Sequence, residues 1–171
     1  MNSKILDRVF TWSGYLAGVF LVMIGALVTA QIVARLINQQ IPSVDEFAGY
    51  CLAASSFLGL AYSFRSGSHI RVTVMTDKLP AQAQRILLIL VLLFTLTMIG
   101  IWGYNALHFI YESWLYKEMS TGIVKYPIWI PQMGMGIGVV LFFLAILEDL
   151  FNAVMGREPN FEKNKEQMAQ D

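Results

Sequence analysis

Charged residues divide the chain into long apolar stretches and short polar connections. Uncharged runs extend from Val9 to Ala34, Phe47 to Phe64, Ile86 to Tyr111 and Tyr126 to Leu147, or 26, 18, 26 and 22 residues. Each run is long enough for a membrane helix, because about 20 helical residues at about 1.5 Å rise cross a hydrocarbon core of about 30 Å. The pattern predicts an all-α integral membrane protein with four transmembrane helices at about 9–35, 44–64, 84–111 and 127–150. Residues 1–155 form the membrane domain, and 156–171 form a flexible tail. The runs take up 92 of the 171 residues, which leaves no connection long enough to build a soluble catalytic domain with its own core.

The first run follows Lys4 and Arg8 and so imitates a secretory signal. Its apolar stretch is far longer than the 7 to 15 residues of a signal core, so it reads as an uncleaved membrane helix. With four spans, both termini share one side. That side carries nine basic residues: Lys4, Arg8, Arg65, Arg71, Lys78, Arg85, Arg157, Lys163 and Lys165. The other side carries three, Arg35, Lys117 and Lys125, so the positive-inside rule puts both termini in the cytoplasm.

The connections carry local signals. Ser43-Val44-Asp45-Glu46 fits the S-x-x-E capping box, with Ser43 accepting from the Glu46 backbone and Glu46 reaching back; Asp45 is left available for a partner. Between Arg65 and Arg85, small polar residues precede His69-Ile70-Arg71-Val72, and Leu79-Pro80 follows. This stretch predicts a short amphipathic arm at the cytoplasmic headgroups, with Arg65, His69 and Arg71 toward lipid or a partner. Pro127 and Pro131 flank Trp129 where the fourth helix begins, a position at which proline costs little and tryptophan suits the interface. From Glu148 onward the sequence is polar and predicts a frayed tail.

Composition narrows the function. Hydrophobic residues are 56% and charged residues 14%, and twelve basic side chains balance twelve acidic ones, so no basic excess favours nucleic acid. The single cysteine, Cys51, reads as an apolar filler. No Lys, Arg, Asp or Glu stands near the centre of any run, where a pump or exporter would keep one. Only two histidines occur, His69 in a connection and His108 near a helix end, so paired axial haem ligands at depth are not provided. The helices do offer close-packing positions: Gly49 with Ala53, Ser55 with Gly59, and Gly134 with Gly138, each pair four residues apart. Such pairs serve either contacts among the four helices or contacts with another subunit.

The order of several fragments resembles a known family. Arg35 ends the first helix, and Asp45-Glu46 opens the second with Tyr50 one turn on. Phe57-Leu58-Gly59-Leu60-Ala61, His69-Ile70-Arg71-Val72, Leu79-Pro80 and Ile128-Trp129-Ile130-Pro131 then follow. Over about residues 1–155 this resembles the small, DctQ-like membrane subunit of tripartite ATP-independent periplasmic (TRAP) transporters. The resemblance implies a non-catalytic scaffold in a bacterial inner membrane. Its partners would be a large multi-helix subunit, which binds the sodium ions, and a periplasmic binding protein. The solute would be an organic acid such as sialic acid, another sugar acid or a C4-dicarboxylate. It also implies periplasmic-side partner contacts at Arg35, Asp45, Glu46 and Tyr50, and lipid or partner contacts at His69 and Arg71, with no cofactor in this chain. Thr73 stands where the family often has an acid. Two other readings compete with this one: a membrane anchor of a redox enzyme, and a small homodimeric exporter.

Overall fold

The computed structural model describes residues 3–66 and 80–156, and it contains four long helices. They are α1 (Ser3–Leu36), α2 (Val44–Arg65), α3 (Ala81–Leu115) and α4 (Trp129–Val154). All four are long and apolar enough to cross a membrane. The 34 and 35 residues of α1 and α3 correspond to about 50 Å each, so both overrun a hydrocarbon core of about 30 Å.

Chain punctuation sets the helix ends. At the end of α1, Asn38 adopts a left-handed φ of 55°, and the N–H groups of Asn38 and Gln39 return to the carbonyls of Arg35 and Ala34. Lys117 does the same after α3, with φ 52° and bonds from the Lys117 and Glu118 N–H groups to Trp114 and Ser113. Both ends are Schellman turns that satisfy otherwise orphaned carbonyls. Pro80, in extended conformation, starts α3. Pro131 falls in the first turn of α4, where no intrahelical N–H bond is lost.

The helices lie in a row in the order α1, α2, α4, α3, each packing mainly on its neighbours in that order. Small residues set the seams. A Cβ on Gly138 would lie 2.6 Å from the Phe57 Cβ and 2.8 Å from the Leu58 nitrogen, and one on Gly134 would lie 2.7 Å from the Ala54 Cβ. These contacts advance in the same direction along both helices, so α2 and α4 are parallel, as expected of two spans running from the same side. On the α1 side, the Ser55 hydroxyl donates to the Ala17 carbonyl at 2.9 Å, and a Cβ on Gly59 would lie 3.6 Å from Ala17. Lipid tails are as apolar as leucine, so close backbone approach and interhelical hydrogen bonds take the place of the hydrophobic drive.

All four helices contribute to a core of Phe10, Ala61, Leu92, Phe142, Ala145, Ile146 and Ala153, toward the end of α2 that carries Arg65. α1 and α3 leave broad apolar surfaces outward, including Trp12, Val22, Phe94 and Tyr104.

Three expectations need correction. Ser43 has φ 62° and makes no side-chain cap bond, so the capping box does not form. Glu148 and Asp149 do not begin a frayed tail; α4 continues to Val154 and Asp149 is fully buried. Arg65 is buried rather than exposed on a surface arm. The arm residues His69 and Arg71 lie outside the described residues, as does the tail from 157.

Candidate functional site

Two polar clusters occupy opposite ends of α2, and each ties helices together. The 22 residues of α2 span about 33 Å, so the clusters sit at the two edges of the apolar layer.

The first cluster surrounds the start of α2. The Glu46 carboxylate accepts from the Ser120 hydroxyl at 2.5 Å and from the Tyr126 hydroxyl at 2.9 Å. The Ser43 hydroxyl accepts from the Val124 N–H at 3.3 Å. Ser43 and Glu46 are therefore turned away from their own helix and toward the α3–α4 connection. That connection has its own scaffold: the Ser120 N–H donates to the Tyr126 carbonyl, Met119 pairs with Pro127, and Lys125 Nζ donates to the Ser120 carbonyl at 3.0 Å. Gly122 lies directly over the carboxylate, and a Cβ there would come 2.5 Å from one Glu46 oxygen and 2.6 Å from the Ser43 Oγ. A side chain at this position would push the Glu46 carboxylate and the Ser43 hydroxyl out of their present places. The Phe47 ring stacks on Tyr126 at 4.8 Å, and Tyr50 meets it edge-on at 6.4 Å.

Burial pushes the Tyr126 phenol up to about 12; the adjacent Glu46 carboxylate adds to the rise, and the hydrogen bond with Ser120 opposes it. The neutral phenol is the form that donates to Glu46. An unfolded tyrosine ionises near 10, so the Tyr126 contribution is intact below about pH 10 and is lost as pH rises toward about 12. Ultraviolet titration of phenolate absorbance in the wild type and Y126F will show one late-ionising tyrosine missing from the variant. Substituting Glu46 by Ala leaves two hydroxyls without their acceptor, at a cost of about 1–3 kcal/mol. Amide hydrogen exchange at Gly122 and Val124 will quicken in E46A and stay near wild type in D45A. Equal exchange in all three proteins would deny Glu46 its anchoring role.

The other residues expected at this end divide. Asp45 is exposed and, among the described residues, receives only a long contact of 3.4 Å from Gln31. Arg35 is exposed in the last turn of α1. Glu46 and Tyr50 share the clasp with Tyr126, whereas Asp45 faces Gln31 of α1. His108 pairs with Glu112 at 3.6 Å on an exposed face of α3.

The second cluster centres on Arg65, only 4% exposed at the last residue of α2. Its Nε and Nη2 donate to Asp7 of α1 at 3.1 and 2.7 Å, and its Nη1 donates to Glu148 of α4 at 2.6 Å. The guanidinium also lies 5.2 Å from the centre of the Phe10 ring. One planar fork thus joins three helices, a geometry open to arginine but not to lysine. Nearby, Arg85 of α3 donates to the Ala153 and Val154 carbonyls at 3.1 and 2.9 Å, closing the exposed end of α4 with a cation where the helix dipole favours one.

Of the packing positions, Gly134 and Gly138 face α2, and Ser55 and Gly59 face α1. Ala53 is half-buried. A Cβ on Gly49 would meet nothing within 4 Å. Asp7, Arg85, Ser120, Tyr126 and Glu148 were not singled out in sequence. A signal for the Arg65 cluster was nevertheless present: Asp7, Arg65 and Glu148 all stand at the same-side ends of their apolar runs.

The chain has relatives. It is 30% identical over 100 residues to the ectoine TRAP transporter small permease protein TeaB of Halomonas elongata. That alignment covers 58% of this chain and 49% of TeaB, so the chain spans about half the length of this curated relative. A family model for the DctQ component of tripartite ATP-independent periplasmic transporters matches residues 24–156. The match begins within α1 and runs through the end of α4, taking in both residues of the Glu46–Tyr126 clasp as well as Arg65 and Glu148; this multi-pass membrane chain belongs to the DctQ component family of TRAP transporters.

Proposed function

We propose that the chain is the small permease subunit of a TRAP transporter and works as a rigid brace for a large, sodium-coupled membrane subunit. The observation that carries this reading is the double fastening of α2. Glu46 ties its outer end to the α3–α4 connection, and Arg65 ties its inner end to α1 and α4. A row of helices tied at both edges resists shear, and a support for a moving neighbour needs that stiffness. The broad apolar faces of α1 and α3 provide area for lipid and for the large subunit.

In this reading the chain sits in a bacterial inner membrane with both termini in the cytoplasm, as the nine-to-three distribution of basic residues indicates. The Glu46 clasp then faces the periplasm, on the side from which a binding protein delivers solute. The large subunit carries the sodium sites, and the solute is an organic acid: sialic acid, another sugar acid, a C4-dicarboxylate, or ectoine as in the name of the Halomonas elongata relative.

Co-expression with the genes for a large polytopic subunit and a binding protein tests the proposal. The chain will purify with the large subunit at one to one, and solute uptake into liposomes will require a sodium gradient and all three proteins. Uptake by this chain alone, or haem absorbance in the purified chain, would overturn it.

A further inference from the structure

A cleft of about 350 Å³ opens where α3 ends and α4 begins, lined by Trp114, Leu115, Lys117, Met119, Pro127 and Trp129. Below it along the same seam, a second cleft of about 220 Å³ runs between Leu107 and Ile110 of α3 and Met133 and Ile137 of α4. The steps from Trp114 to Ile110 to Leu107 and from Trp129 to Met133 to Ile137 each descend about 11 Å of helix, from the interface into the apolar layer. Gly136 lets the two helices approach at the floor, where a Cβ would lie 2.7 Å from the Ile110 Cδ1.

The upper cleft is apolar apart from Lys117. Among the described residues no hydrogen bond or ion pair engages the Lys117 ammonium, whereas Lys125 of the same connection is bound to the Ser120 carbonyl. The adjacent Glu118 carboxylate accepts from the fully buried Ser113 hydroxyl at 3.0 Å and does not line the cleft. Lys117 also occupies a left-handed C′ position that glycine fills at lower cost, so the turn itself does not call for lysine. A cation beside two tryptophans at the end of the seam, with a purely apolar groove further along the same two helices, complements an amphiphile with an anionic head and a hydrocarbon tail.

We propose that this seam binds one anionic phospholipid, with its phosphate on Lys117 and an acyl chain along Trp114, Trp129 and the groove beneath. The assignment rests on the cleft and the free ammonium and stands apart from the transporter reading.

The test uses the full chain with Trp12 and Trp102 changed to Phe, which leaves Trp114 and Trp129 as the reporters. It is placed in phosphatidylcholine nanodiscs containing a small, equal fraction of brominated phosphatidylglycerol or brominated phosphatidylcholine. Quenching will indicate about fivefold enrichment of the anionic lipid, the excess expected from one basic residue at a charged headgroup. K117G, which keeps the turn, will abolish the preference, and K117R will retain it. Equal quenching by the two lipids, or a preference that survives in K117G, would overturn the assignment. So would loss of the preference when a large membrane subunit co-purified with the chain is added, because the cleft would then be a protein seat.

Discussion

Substituting Arg65 by Ala will lower the stability of the purified chain by about 3 kcal/mol or more, the loss expected when one partner is removed from a buried ion pair. The size follows from where the carboxylates lie. Glu148 is 15% exposed and loses a 2.6 Å partner in a site that water reaches poorly. Asp7 is 48% exposed and recovers much of its solvation, so its share is at most about 1 kcal/mol. Thermal melting in detergent will therefore rank R65A as the most damaging change, E148Q next and D7N least. R65K will recover only part of the loss, because one ammonium cannot reproduce a fork that donates through Nε, Nη2 and Nη1 to residues of two other helices. A double replacement, R65M with E148M, will be milder than R65A, since it does not leave the Glu148 carboxylate stranded without its partner. If R65A melts with the wild type, Arg65 does not fasten the helices and the proposed brace loses one of its two ties.

The second large effect is expected at Gly138. Its Cβ position is occupied by the Phe57 Cβ at 2.6 Å, the Phe57 carbonyl carbon at 2.7 Å and the Leu58 nitrogen at 2.8 Å. Two of these three atoms are backbone, which no rotamer change can move, so even G138A must push α4 away from α2. Overpacking of this kind costs about 1–3 kcal/mol, and G138V will cost more. The displacement also opens the neighbouring Gly134–Ala54 contact and separates the helix that carries Glu148 from the helix that carries Arg65. G49A is the matched control. Nothing lies within 4 Å of its Cβ, and alanine in place of a helical glycine gains roughly 0.5–1 kcal/mol. Melting temperatures of the two variants will thus move in opposite directions, and a shared direction would remove Gly138 from the seam.

Motif reading succeeded or failed according to how far away the partner stood. Ser43 and Glu46 drew attention because they fit a local capping pattern, yet their partners are Ser120, Tyr126 and Val124, reached only when the third connection folds back over α2. With Ser43 in a left-handed conformation the reciprocal cap is not made. Gly134 and Gly138 were visible as a close-approach pair, but their spacing carries no information about which helix approaches. Arg65 stands in a polar stretch that reads as surface, and Glu148-Asp149 reads as the end of an apolar run. Both readings fail because Arg65 and Glu148 satisfy one another across helices, and because α4 continues past the uncharged run and buries Asp149.

Four helices long and apolar enough to cross a bilayer were already legible in the residue order, because span length and the cost of charge in hydrocarbon are properties of consecutive residues. The residue order also carried the family likeness, through the order of short fragments, and an expectation of sidedness, through the uneven placement of basic residues. The row α1, α2, α4, α3, the clasp of Glu46 with the α3–α4 connection and the three-helix fork of Arg65 were decided only in three dimensions. These depend on which small-residue faces fit together and on donors and acceptors 58 to 83 residues apart meeting at the same edge of the membrane layer.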